Sequence, residues 1–423
     1  MGKTNTQEYN RLKSNFIALT ALQAANYILP LITLPYLVKT LGVEYFGLLA
    51  FATATIAYFG ILTDYGFNLT ATKEISINRD NKEKITEIFS SVMSIKFLLL
   101  LLSFTLLSSI LFVFDKFNND WHIYLLTFGT VVGQFLFPVW FFQGMEKMKY
   151  ITYLNLLSKS IFTIAIFIFV QEESDAYLVP LFFSLGSIIA GVISLYIIHK
   201  HFKLTFTLQN RATIKHYLLD GWHVFLSRFY VSLYTTTNIL LLGLMTSNIA
   251  VGYYSIAEKI VLAIGGLFEP VNQTIYPYLA RKYKENFQLF VDFLKKISLL
   301  FILSASILVL LSEYFVQELV LIIHGQYNAH ITFLLTIFLI RIFILPFGAL
   351  LSNTLIIMEK KKEFIRVMNY TVIVDLIFVP FAIYTFQERG LVISFLLIIF
   401  VHVLFLWYYV SQSIKEQKEL NHD

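Results

Sequence analysis

The chain is built almost entirely from apolar stretches of about 20 residues, separated by short segments that carry most of its charge. An α-helix rises about 1.5 Å per residue, so about 20 apolar residues span the roughly 30 Å hydrocarbon layer of a bilayer. Backbone N–H and C=O groups find no partners in lipid, and a helix pairs all of them within one segment. We therefore predict an all-α integral membrane protein.

Dividing the sequence where charges cluster predicts twelve transmembrane helices. Only 14% of the residues are charged, whereas an ordinary soluble domain has about 25%, so no sizeable soluble domain fits beside the helices. The predicted spans cover 14–38, 45–68, 88–114, 122–142, 151–170, 177–198, 222–245, 253–279, 297–315, 331–357, 367–386 and 391–412.

The distribution of Lys and Arg predicts the orientation in the membrane. Cytoplasmic loops of membrane proteins are rich in these residues. Most of the 32 lie in the terminal segments and in the loops on the same side, whereas the opposite loops carry only Lys39, Lys116 and Arg389. Both termini are therefore predicted to be cytoplasmic. The net charge of +5 reflects this asymmetry and contact with anionic lipid headgroups, so we expect no nucleic-acid partner.

Motifs of cofactor-dependent enzymes are missing from the sequence. It has no cysteine, and its nine histidines form no HExxH motif, which excludes Cys-ligated zinc, iron–sulfur clusters and thiol nucleophiles. It also has no GxxxxGK phosphate loop and no GxGxxG motif. We therefore expect no bound cofactor, no metal site and no ATP hydrolysis.

A shift of the chain against itself by 205 residues suggests an internal repeat. Six spans in each half would enter the membrane in the same direction, which predicts two six-helix lobes, 1–205 and 206–423, related by a pseudo-twofold axis along the membrane normal. A chance match is the alternative, because glycines and acids near helix ends recur in any large membrane protein. The superposed pairs are Gly47 with Gly252, Gly60 with Gly265, and Asp64 with Glu269.

Polar residues at helical spacing predict which helices line a central cavity. Thr53, Gly60 and Asp64 share one face of the second span. On the other three spans the aligned residues are Asn15, Asn26 and Thr33 on the first, Arg228, Ser232 and Thr235 on the seventh, and Glu258, Gly265, Glu269 and Tyr276, with Asn272 at the edge, on the eighth.

Charged side chains inside the spans are costly, at about 2.5 to 3.5 kcal/mol each, so each must snorkel, pair or face water. Lys96 and Lys159 lie eight residues from the cytoplasmic ends of their spans, which favours snorkelling to the headgroups. Arg228 shares a face with polar residues, which favours the cavity. Arg341 and Asp375 lie near mid-depth, and a structural ion pair and a transport role are both open.

Four carboxylates are candidates for ion coupling. A proton carrier needs a carboxyl group in an apolar setting, and Asp375 lies within the apolar run 372–378. Glu269 lies on a polar stripe just before Pro270. Glu258 and Asp64 complete the set; for Glu258 a pair with Lys259 at the cavity edge, without a function, is the alternative.

Three segments resemble those of the bacterial O-antigen and polysaccharide flippases, the Wzx-type branch of the multidrug/oligosaccharidyl-lipid/polysaccharide exporter superfamily. The resemblance is specific from about residue 15 to 280. The segments are LPLITLPYLVKTLGVEYFGLLAFATATIAYFGILTDYGFNLTATKEIS (29–76), WFFQGMEKMKYIT (140–152) and SLYTTTNILLLGLMTSNIAVGYYSIAEKIV (232–261).

This resemblance implies a function and a shape. It implies a V-shaped molecule whose spans 1, 2, 7 and 8 line the cavity, in the bacterial inner membrane. It implies transfer of an undecaprenyl-diphosphate-linked oligosaccharide to the periplasmic leaflet, coupled to H⁺ or Na⁺, with a polysaccharide polymerase and a chain-length regulator as further partners. Arg228 and Arg341 are then candidates for binding the diphosphate, because guanidinium groups fit phosphate oxygens.

Aromatic residues of the lining spans could stack on sugars, although membrane aromatics commonly serve in packing or as interfacial anchors. These residues are Tyr27, Tyr234 and Tyr276.

The main rival function is an antiporter of cationic drugs from the same superfamily, which would need an acidic cavity. Charge alone does not decide, because five cations and five acids lie inside the spans. A polymerase or ligase is disfavoured, because the longest outward loop, 316–330, has only fifteen residues.

Overall fold

The computed structural model describes the backbone of residues 2–420 and the side chains of residues 26, 28–233 and 236–419. Regular structure within this part of the chain is helical throughout, which confirms the predicted all-α class. The helices are α1 (Gly2–Asp64), α2 (Phe67–Ile77), α3 (Lys82–Val113), α4 (Asp115–Asn118), α5 (Trp121–Leu136), α6 (Val139–Gly144), α7 (Met148–Phe169), α8 (Leu178–Phe202), α9 (Arg211–Thr235), α10 (Thr237–Met245), α11 (Asn248–Gly265), α12 (Glu269–Glu285), α13 (Phe287–Tyr314), α14 (Val316–His324), α15 (Ala329–Ile357) and α16 (Lys361–Leu420), with short 3₁₀ turns at Glu173–Tyr177 and Gly266–Phe268.

Nine helical segments among the described residues are long and apolar enough to cross a membrane. Two of them exceed any bilayer, at 50 residues (Ile28–Ile77) and 59 residues (Lys361–Glu419). The first contains Gly42 at φ 72° and the turn formed by Tyr65 and Gly66, at φ 50° and 81°, and the second contains Gln387 at φ 52°. The helix α9 is not among the nine. The structure therefore shows a multi-pass helical protein, and a count of twelve spans stays a prediction.

Side-chain caps explain where several helices begin. Asn81, Asn210 and Asn286 each accept a bond at 2.8–3.0 Å from the backbone N–H three residues later, at the starts of α3, α9 and α13. Ser247 and Asn328 do the same for α11 and α15. Such caps satisfy backbone donors that a helix leaves open at its first turn.

The chain divides into two compact units, Met1–Leu240 and Leu241–Asp423. In unit 1 the run Trp140–Phe141–Phe142 is fully buried against Phe67, Ile75 and Ile88. The chain leaves α5 at Pro138, and α6 then lies on α2 so closely that a Cβ on Gly144 would be 2.7 Å from Ile75. The segment 140–152 thus fixes one end of unit 1.

Unit 1 also includes α9, which packs against α1, α2 and α3. Unit 2 is built around α11, α13, α15 and α16, with Tyr254, Phe301 and Phe338 fully buried. These units are defined by packing alone, so the predicted lobes 1–205 and 206–423 and their symmetry stay predictions.

Candidate functional site

A cavity of about 540 Å³ lies in unit 1, between α1, α3, α5, α7, α8 and α9. The predicted stripe Thr53, Gly60 and Asp64 lies on its wall. The absence of a side chain at Gly60 leaves room for Gln134 of α5, because a Cβ at Gly60 would be only 3.1 Å from the Oε1 of Gln134. The cavity has the size of ordinary small-molecule sites.

Among the residues whose side chains the structure describes, three cations and one carboxylate line this cavity. The Oδ2 of Asp64 lies 2.7 Å from the Nη1 of Arg228. The Oδ1 of Asp64 lies 3.8 Å from the Nζ of Lys96. The side chains of Asp64 and Lys96 are 13% and 4% exposed, whereas that of Arg228 is 41% exposed. The arrangement leaves an excess of positive charge, which suits an anionic group.

Lys159 is the third cation, and it donates a hydrogen bond to the side-chain oxygen of the predicted lumen residue Asn26. Lys96 and Lys159 were expected to snorkel, and the structure corrects this expectation for both, since both line the cavity. Lys96 turns inward because Asp64 on α1 is within reach. An acid and a lysine in the cytoplasmic halves of two consecutive spans were the signal in the sequence.

Uncharged hydrogen-bonding side chains complete the lining. Gln134 is exposed on the cavity wall. The Nδ2 of Asn155 donates to the carbonyl oxygen of Ile151, and its Oδ1 accepts no bond from the part of the chain that the structure describes. Ser158 and Ser187 lie on α7 and α8. None of these four residues was predicted, because isolated amides and hydroxyls on mostly apolar helices form no stripe.

The two other predicted residues of the seventh span, Ser232 and Thr235, do not line the described part of the cavity. Ser232 is buried, and its hydroxyl donates to the carbonyl of Phe229 at 2.6 Å. The side chain of Thr235 lies outside the described residues, as do those of Asn15, Tyr27 and Tyr234.

A second charged cluster lies within unit 2. Arg341 on α15 is 3.8 Å from Oε1 of Glu258 on α11, and each side chain is 13% exposed. The hydroxyl of Tyr254 donates to the same carboxylate oxygen at 3.3 Å, and the guanidinium lies 4.9 Å from the ring centre of Phe395. Asp375 is 1% exposed in the same unit. Arg341 therefore pairs with Glu258, and this contact was not anticipated.

The remaining candidates lie on α12. Glu269 is exposed and accepts a bond at 3.1 Å from Nε2 of Gln273. Pro270 occupies the first turn of α12, where the preceding helix ends. Asn272 is buried and its Oδ1 has no hydrogen-bond partner among the described residues, whereas Tyr276 is 37% exposed.

Comparisons with known proteins agree on the family. Residues 12–283 match the family described as polysaccharide biosynthesis protein. A relative named "Putative O-antigen transporter" from Escherichia coli (strain K12) is 34% identical over 404 residues, covering 91% of this chain and 93% of the relative. A protein of the same name from Shigella dysenteriae is 28% identical over 270 residues, covering 64% of this chain and 68% of that protein.

Solved structures share the fold. The lipid II flippase MurJ in an inward closed conformation has a TM-score of 0.72 at 16% identity, covering 95% of this chain and 88% of that one. An inward-facing multidrug resistance MATE family transporter of the MOP superfamily has a TM-score of 0.68 at 14% identity, covering 95% and 99%. The chain belongs to the polysaccharide biosynthesis protein family, as a membrane transporter of that process and not an enzyme.

Proposed function

We propose that this protein is a flippase that moves undecaprenyl-diphosphate-linked oligosaccharide repeat units from the cytoplasmic to the periplasmic leaflet by alternating access. The observation that carries the proposal is the membrane cavity of unit 1, with three cations against one carboxylate. A diphosphate in a low-dielectric setting needs such compensation, and guanidinium and ammonium groups supply it. The names of the relatives support an O-antigen substrate.

The residues divide between the two parts of such a substrate. Arg228, Lys96 and Lys159 would contact phosphate oxygens, with Arg228 giving two parallel bonds that an ammonium cannot give. Gln134, Asn155 and Ser158 would bind the hydroxyl or amide groups of the adjoining sugar. Arg341 stays a second candidate for the diphosphate, although it lies in unit 2, 3.8 Å from Glu258 and outside the cavity of unit 1.

The topology that we propose has twelve spans in two six-helix lobes around a central cavity, with both termini in the cytoplasm of a bacterial inner-membrane protein. Gly42 and Gln387 interrupt helices that are too long for one crossing, which supports a division of each into two spans. Thr53, Gly60 and Asp64 of span 2 and Arg228 of span 7 line the cavity of unit 1, which supports a lining role for these two spans. A lining role for spans 1 and 8 stays part of the proposal without a contact to this cavity.

Coupling to an H⁺ or Na⁺ gradient is part of this proposal. The candidates are the carboxylates of Asp375, Glu258, Glu269 and Asp64. Asp375 is the most deeply buried of the four, which suits a group that must change protonation in an apolar setting. Transfer to the polysaccharide polymerase and chain-length regulator would follow on the periplasmic side.

The rival function, an antiporter of cationic drugs, fits the cavity less well. An organic cation would be repelled by the excess of Lys96, Lys159 and Arg228 over Asp64. The MATE structures share the fold at 14% identity, and this likeness says nothing about substrate.

A flipping assay with purified protein tests the proposal. The full chain is reconstituted into liposomes that carry a lipid-linked oligosaccharide, and an impermeant sugar-modifying enzyme reports which leaflet holds the sugar. We expect exchange between leaflets that depends on the protein and is absent with empty liposomes. Export of a fluorescent organic cation, without movement of the lipid-linked sugar, would favour the antiporter.

A further inference from the structure

Two of the three cations at the cavity wall already have an anionic partner. Asp64 accepts from Arg228 at 2.7 Å through one carboxylate oxygen, and its other oxygen lies 3.8 Å from Lys96. Among the described residues Lys159 makes no ion pair and binds only the neutral amide of Asn26. The described wall of the cavity therefore has one cation without an anionic partner, Lys159, and one site, at Arg228 and Lys96, that the carboxylate of Asp64 occupies.

The filled position has the chemistry of a phosphate site. A guanidinium presents the same planar pair of donors to a carboxylate and to a phosphate. Arg228 is 41% exposed, so a ligand in the cavity can reach it without prior unfolding of the surrounding helices. A diphosphate that binds Arg228 in the same way must therefore replace the carboxylate of Asp64 as the hydrogen-bond acceptor.

The ion pair also joins two structural elements. Asp64 is the last residue of α1 and Arg228 lies on α9. Beside the pair, the rings of Tyr65 and Phe225 stack with centroids 5.1 Å apart. A Cβ on Gly66 would be 2.6 Å from Cγ1 of Val224, so α9 lies directly on the turn between α1 and α2. Loss of the ion pair removes the charged link across this contact.

We propose that Asp64 is an internal competitor of the substrate diphosphate: the arriving diphosphate displaces Asp64 from Arg228, and the loss of the pair releases α9 from α1. Substrate binding thereby weakens the contact between α9 and the end of α1. Asp64 retains Lys96, so its charge stays compensated after displacement. The inference rests on the proposed function, since it requires that a diphosphate reaches this cavity.

The proposal has an unusual consequence for affinity. Removal of the competitor should tighten anion binding, although it removes a polar residue from the site. A partly exposed ion pair changes an equilibrium constant by about fivefold. Asp64→Asn should therefore bind a diphosphate about fivefold more tightly than the wild type.

Binding of inorganic pyrophosphate to the purified full-length protein tests this consequence. The control is Glu44→Gln, which removes the same charge at an exposed position outside the cavity. Tighter binding by Asp64→Asn and wild-type binding by Glu44→Gln support the proposal. Equal or weaker binding by Asp64→Asn overturns the competition but leaves the diphosphate site intact. No binding by any of the three proteins overturns both.

A second measurement keeps Asp64 in place, in case Asp64→Asn does not fold. The chain has no cysteine, so Lys73→Cys on α2 and Lys215→Cys on α9, both exposed, can carry a specific pair of spin labels. Saturating pyrophosphate should lengthen the distance between the labels. An unchanged distance with pyrophosphate bound would overturn the release of α9.

Discussion

At the scale of single residues, charge compensation decides how this protein tolerates ions in the membrane. Asp64 compensates Lys96 and Arg228 in unit 1, and Glu258 compensates Arg341 in unit 2. On the described wall of the cavity, Lys159 differs from Lys96 and Arg228, since its partner among the described residues is the neutral amide of Asn26. Uncompensated charge inside a membrane is expensive and is commonly functional. The excess in unit 1 is therefore where we place the substrate's diphosphate.

Replacement of Arg228, whose guanidinium is exposed, tests the site most directly at this scale. Arg228→Ala should lower flipping by about 30-fold or more, because a lost charge-assisted contact costs about 2 kcal/mol or more. Protein abundance should stay normal, because Asp64 still has Lys96. Arg228→Lys should recover only part of the activity, and Arg211→Ala, at the exposed start of α9, serves as the control. Wild-type flipping by Arg228→Ala would remove Arg228 from the site.

For the pair in unit 2 we expect a loss of stability. Glu258→Gln leaves Arg341 largely buried without its carboxylate, which should cost about 3 kcal/mol. Adding Arg341→Leu should restore most of that loss, and thermal unfolding in detergent of the two single variants and the double variant measures the coupling. A Glu258→Gln protein that is stable but has lost the pH dependence of transport would instead assign Glu258 to ion coupling.

At the scale of helices, the position of α9 is the feature that the sequence revealed least. Hydropathy predicted a span at 222–245, and the stripe through Arg228 pointed to a cavity. The packing of α9 into unit 1 was not predicted, because it depends on two glycines, Gly66 and Gly221, at which the helices meet. These glycines allow α9 to lie close to the turn between α1 and α2. The spacing of residues along the chain does not show which neighbour a side chain at a glycine would contact.

Substitution of Gly221 tests this close approach. A Cβ there would be 2.8 Å from Cδ1 of Tyr65, whose buried ring cannot move away easily. Gly221→Ala should therefore lower the free energy of unfolding by about 1–3 kcal/mol. The matched control is Gly348→Ala, where the new Cβ would make an ordinary contact at 3.4 Å and should gain up to about 1 kcal/mol in helix propensity. Equal effects in the two variants would contradict the packing of α9 on Tyr65.

At the scale of the whole molecule, the length of the apolar stretches and the low content of charged residues were sufficient to predict the class. The all-α membrane fold and the family follow from long apolar runs and from the segment 29–76. The cavity lining was predicted in part: Asp64 and Arg228 stood on stripes, whereas Lys96, Lys159 and Gln134 did not. Their roles depend on which helices become neighbours, and a single sequence does not contain that information.

The topology of unit 2 can be tested with reporters. A fusion after Lys362 should report the cytoplasm, and an insertion near Tyr327, in the loop before α15, should report the periplasm. Inactive and active forms of the same reporter at both positions, together with protein levels, control for expression. The same side at both positions would contradict a single crossing by α15.

The leaflet that holds the lipid-linked repeat unit after depletion of this protein tests the central claim most directly. Cells depleted of the protein are converted to sealed spheroplasts, and an impermeant sugar-specific probe is applied before and after lysis. We predict single, unpolymerised repeat units that are protected until lysis, hence on the cytoplasmic leaflet. Repeat units that the probe reaches in intact spheroplasts would show that flipping proceeds without this protein and would contradict the account.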